Sequence, residues 1–78
     1  MKHLITDSTG LLYLDGNWNA EVWVFRWVEK KSECILFANY DYAEYFADNN
    51  KQAREFLAEH VEKLGLTKLI KPYETGKI

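Results

Sequence analysis

Covalent cross-links and metal-binding signatures are missing from this sequence. Cys34 is the only cysteine, so no disulfide can close within the chain, and a single thiol in the apolar run around Ile35 reads as a small buried hydrophobe. His3 and His60 are the only histidines and stand far apart, without the further ligands a zinc site needs. Gly10, Gly16, Gly65 and Gly76 are scattered and make no phosphate-cradling loop. Ser8, Thr9 and Ser32 fall in turn-like stretches with no base at catalytic spacing, so a hydrolytic triad has no support. No catalytic residue, cofactor or metal is assigned on these grounds.

Long apolar runs are missing too. No segment approaches the ~20 residues of a membrane-spanning helix, and Met1 to Asp7 has too short an apolar core for a secretory leader. A cytoplasmic protein is the expectation. A net charge of -2 supplies no field to hold nucleic acid. Trp18, Trp23 and Trp27 also lack the surplus of cations that base-stacking grooves carry, because Arg26, Lys30 and Lys31 are balanced by Glu21, Glu29 and Glu33. Nucleic-acid binding, and a small enzyme acting through His60 or Cys34, are the weakest alternatives. With no repeat and no Pro/Gly-rich linker, residues 1–78 read as one domain.

What the chain does have is aromatic bulk: 3 Trp, 5 Tyr and 4 Phe in 78 residues. A chain this short buries only about 60–65% of its unfolded surface, so large rings must supply the core. Glu21 to Glu29 alternates Val22, Val24 and Val28 with Trp23, Phe25 and Trp27, the period of a strand. A second apolar run, Glu33 to Asn39, follows the short Lys30–Lys31 link, which predicts an antiparallel hairpin. In that register Trp27 faces Cys34, Phe25 faces Leu36 and Trp23 faces Ala38, and the tryptophan face is the core. Upstream, Leu11 to Leu14 reads as a strand turning at Asp15-Gly16-Asn17, and His3 to Thr6 as another with Asp7 to Gly10 as its turn.

Towards the C-terminus, Asn49 and Gln52 make a capping box, Ala53, Phe56, Leu57, Val61 and Leu64 form an apolar stripe, and Gly65 follows it. A helix from about Asn50 to Leu64 is predicted. Leu66 to Lys71, stopped by Pro72, reads as an edge strand. The expected fold is α+β: a small antiparallel sheet of three to five strands packed on one face by a single C-terminal amphipathic helix.

Charge is unevenly placed. Asp41, Glu44 and Asp48 sit together without a base, while Lys68, Lys71 and Lys77 make the tail mildly basic. In the acidic stretch, tyrosines alternate with carboxylates from Tyr40 to Asp48, which reads as a solvated turn, as a short extra helix covering the end of the core, or as a contact surface. Tyrosine gives rigid amphipathic area, and clustered carboxylates attract a basic patch. The expected function is a non-enzymatic protein-interaction module, a small inhibitor or adaptor. Tyr40, Asp41, Tyr42, Glu44, Tyr45 and Asp48 are its partner-binding residues, and the partner is a protein with a basic surface. Because one helix cannot cover both faces of an apolar strand, the alternative is an obligate homodimer through Val22, Val24, Ile35 and Phe37.

Overall fold

A computed structural model describes residues 1–74, leaving Lys77 of the basic tail outside the described residues. The chain is a small α+β fold. Its elements are β1 (His3–Ile5), β2 (Tyr13–Asn19), β3 (Val22–Val28), a single 3-10 turn (Lys31–Glu33), α1 (Tyr40–Asn49), α2 (Lys51–Leu64), a short helical turn α3 (Leu66–Leu69) and β4 (Ile70–Pro72). Two antiparallel pairs, β1–β4 and β2–β3, replace the single sheet of three to five strands, and two long helices replace the one expected. Isolated bridges from Thr6 to Tyr13 and from His3 to Phe37 tie these pieces together. No helix among the described residues is long and apolar enough to cross a membrane.

The alternating strand forms as its pattern demands, but its partner lies upstream. Leu14 pairs with Trp27, Gly16 with Phe25 and Trp18 with Trp23, rather than Cys34, Leu36 and Ala38 with those rings. The chain runs straight through Asp15-Gly16-Asn17 and turns at Ala20 and Glu21, whose φ values of 48° and 75° are both left-handed. That pair of angles suits a two-residue hairpin turn, and it is adopted without the Asn-Gly dipeptide that usually announces one. Gly16 stays in the strand for a packing reason. A Cβ there would sit 2.6 Å from Cδ1 of Phe25, so the missing side chain makes room for the ring. After Val28 the backbone leaves the hairpin through the 3-10 turn, and the backbone of residues 34–39 returns to the strands at two places: Ile35 N donates to Leu14 O at 3.0 Å, and Phe37 pairs with His3.

The helices meet at one junction residue. Asn39 Oδ1 accepts from Tyr42 N at 2.8 Å and starts α1, and Asn50 Oδ1 accepts from Ala53 N at 3.0 Å and starts α2. Asn49 is therefore the last residue of α1, and Asn50 takes the cap assigned to it. Gly65, with φ 84° and ψ 149°, ends α2 in a conformation that side chains rarely adopt. The Leu66 to Lys71 segment makes the α3 turn before only three residues pair with β1.

Ala43 and Ala47 let α1 approach closely, and with Ile5, Leu14, Phe37, Leu57, Leu69 and Ile70 they form the buried core. Beside it lies a layer of rings. Phe46 and Phe56 from the helices meet Trp23, Phe25 and Trp27 of β3 at centroid distances from 5.3 to 6.0 Å. The tryptophan side of β3 is thus its inward face. The four residues expected to form a dimer face do not share one surface. Phe37 is only 3% exposed within the core, and Ile35 reaches the inward side at Gly16, whereas Val22 and Val24 lie on the outward side.

Candidate functional site

The acidic, tyrosine-rich segment folds as α1, and helical geometry sorts its residues. Ala43 and Ala47 turn inward, and Tyr40 is half-buried with its ring edge-on to His3 at 5.9 Å. Phe46 enters the ring layer and contacts Phe37 at 5.2 Å. Asp41, Tyr45 and Asp48, spaced by four and three, line up along the exposed side beside Tyr42 and Asn49. Tyr42 is 53% and Tyr45 64% exposed. Between them opens a shallow cleft of about 250 Å³ bounded by Phe46, Asn49 and Asn50. Six predicted contact residues thus become four exposed ones, Asp41, Tyr42, Tyr45 and Asp48, with Glu44 and Tyr40 half-buried at the margin.

The electrostatics of this face are one-sided. Among the described residues the one ion pair is Arg26 Nε to Asp15 Oδ2 at 3.0 Å, so Asp41, Glu44 and Asp48 have no cation within bridging distance. Asp48 stands in the last turn of α1, where exposed carbonyl ends disfavour a carboxylate, and no basic residue occupies that turn. Asp41, in the first turn, suits the helix, whereas Asp48 is a charge that the helix's own stability does not require.

Trp18 extends the aromatic surface beyond what the sequence pattern indicated. It is 61% exposed, and its ring meets Trp23 edge-on at 6.1 Å, joining the hairpin tip to the ring layer. Trp27 packs against the core, and Trp23 reaches it through Phe46 of the ring layer. The signal available in the sequence was its setting, because Asn17 and Asn19 flank it at the end of a strand.

The titratable groups elsewhere have structural partners. Ser8 N donates to His60 Nδ1 at 3.1 Å and the Ser8 hydroxyl lies 3.0 Å from the same nitrogen. A nitrogen that accepts this backbone proton is tied to the Asp7–Gly10 turn, and the imidazole is also packed edge-on against Trp27 at 5.1 Å. The pair links the turn to α2. Asp7 is buried, and its Oδ1 accepts from Thr9 Oγ1, Gly10 N, Thr9 N and Leu12 N at 2.7 to 3.3 Å. Burial pushes this carboxyl upward, yet the four hydrogen bonds together outweigh it and hold it below its ordinary range. Burial also raises the Cys34 thiol, with Asp15 acting in the same sense, and Sγ donates to Lys31 O at 3.1 Å. A thiol kept protonated is a poor nucleophile. No group of three potential metal ligands occurs among the described residues. The basic end is marked by a cleft of about 370 Å³ where Lys31 and Lys71 flank Tyr13 and Pro72.

Compared with known proteins, the chain matches no family model, no curated protein and no solved structure.

Proposed function

We propose that this domain is a non-enzymatic protein-interaction module, a small inhibitor or adaptor, which engages a basic protein surface through the exposed side of α1. The observation that carries the reading is the pairing of two well-exposed tyrosines with three carboxylates that have no cation within bridging distance among the described residues. Tyr42 and Tyr45 supply area at low entropy cost, and Asp41 and Asp48 bracket Tyr45 to fix where a lysine or arginine lands. Glu44 reinforces the field from the margin. A cytoplasmic, reducing setting suits a fold closed without disulfides.

The test is retention of a partner at low salt by wild type and by the Asp41→Ala, Tyr42→Ala, Glu44→Ala triple variant. Loss of the partner by the variant, with binding that weakens as salt rises, supports the reading. Undiminished retention by a folded variant defeats it.

A homodimer is the second reading, favoured by Val22 at 44% and Val24 at 53% exposure on the outward side of the hairpin. A monomer by light scattering at tens of micromolar removes it.

A further inference from the structure

Among the described residues, strand β3 is hydrogen-bonded on one edge only. Its two-residue turn makes Asn19 and Val22 the closing pair, so the backbone groups of Val22, Val24, Arg26 and Val28 point at β2. Those of Trp23, Phe25 and Trp27 point the other way, and among the described residues no backbone group of another segment pairs with them. The far edge of β2 is different, since Asp7 N and Ile35 N donate to the carbonyls of Leu12 and Leu14. Three N–H donors and three carbonyl acceptors therefore stand in a row on β3.

Proteins ordinarily blunt such an edge with proline, lysine, a bulge or a very short strand. None of these devices is present. The strand runs seven residues in unbroken register without proline or lysine. Its one charge, Arg26, is turned to the outward face and paired with Asp15. On that face Val22 and Val24 remain exposed, and a neighbouring strand would flank them.

We infer that the free edge of β3 is a strand-addition site for an extended segment of another protein, apolar at alternate positions and carrying a lysine or arginine at each end. Charge selects this occupant. Glu21 and Glu29, both exposed, bracket β3 at its two ends, eight residues apart. Opposite charges facing each other across strands stabilise, and like charges destabilise. A second copy paired antiparallel about Phe25 uses all six free groups but brings Glu21, in the hairpin turn, near Glu29 at both ends. A segment with basic ends uses the same groups and meets each glutamate with its counterion. This site uses backbone groups of β3 and none of the α1 residues assigned above, so either assignment can fail alone.

The probe is the synthetic peptide Lys-Thr-Val-Thr-Val-Thr-Val-Thr-Lys, followed by amide hydrogen exchange. In the free protein, the amides of Trp23, Phe25 and Trp27 are expected to exchange at least about tenfold faster than those of Val22, Val24 and Arg26. The peptide should slow those three by about tenfold or more. A version N-methylated at its pairing residues should leave them unchanged, and the Glu21→Lys, Glu29→Lys variant should favour a peptide ending in Glu instead of Lys. Protection of the three amides in dilute free protein overturns the inference, as does no slowing by peptide up to about 1 mM. Protection that rises with protein concentration without peptide also overturns it, because the occupant is then a second copy.

Discussion

Replacing Gly16 by alanine puts the packing of the hairpin on the helices to a direct test. The new Cβ would lie 2.6 and 2.7 Å from Cδ1 and Cε1 of Phe25, and 3.3 Å from Cδ1 of Ile35. Carbon contacts settle at about 3.5–4.0 Å, so the ring must retreat by roughly 1 Å. It has nowhere free to go. Trp23 stacks on it at 5.7 Å with an 11° interplanar angle, and Phe46 and Phe56 close in at 6.0 and 5.8 Å. Overpacking of this kind costs about 1–3 kcal/mol. Alanine also restricts the unfolded chain, which offsets about 0.4–1 kcal/mol of that. The net expectation is about 1–2 kcal/mol of destabilisation, or a Tm lower by roughly 4–16 °C for a domain of this size. Urea unfolding followed by tryptophan fluorescence gives the free energy, and weakened near-ultraviolet dichroism reports the displaced rings. Phe25→Leu in the Gly16→Ala background should recover part of the loss, so the double variant is less impaired than the sum of the two single changes. Unchanged stability of Gly16→Ala, or strict additivity with Phe25→Leu, would refute the steric account.

Other expectations follow from particular contacts. Ala20→Asn with Glu21→Gly relieves two left-handed residues at the hairpin tip and should raise stability by about 1–2 kcal/mol in chemical denaturation. Asp7→Asn removes a carboxylate that accepts four hydrogen bonds and should cost about 1–3 kcal/mol near pH 7. Because folding holds the Asp7 carboxyl below its ordinary value, its stabilisation is complete above that value and fades as pH falls through the lowered one; the gap between wild type and Asp7→Asn should therefore narrow in acid. Gly65→Ala forces a side chain into φ 84° and ψ 149° and should lower stability by about 1–3 kcal/mol while leaving the dichroism of the rings intact.

Elements governed by local pattern were legible in advance. The 3.6-residue stripe of α2 and its terminating Gly65, the period-two alternation of β3, and the turn at Asp7 to Gly10 all appear where the residues place them. The ring side of β3 does face inward, but that reading rested on pairing the rings with Cys34, Leu36 and Ala38, whereas they lie opposite Leu14, Gly16 and Trp18. The acidic residues of the candidate face were visible as composition, but their exposure was not. Tyr40 and Tyr42 look alike in the sequence, and only the docking of α1 through Ala43 and Ala47 turns one towards His3 and the other to solvent.

The α+β class, the alternation of β3 and the charge carried by α1 follow from side-chain periodicity and composition alone. Tertiary structure decided the pairing. Asp15-Gly16-Asn17 has the stronger local turn preference, yet placing Gly16 opposite Phe25 lets four aromatic rings from three elements pack together, and that burial outweighs the strain of turning at Ala20 and Glu21. The same choice left β3 with one free edge, a feature that exists only once the partner strand is known.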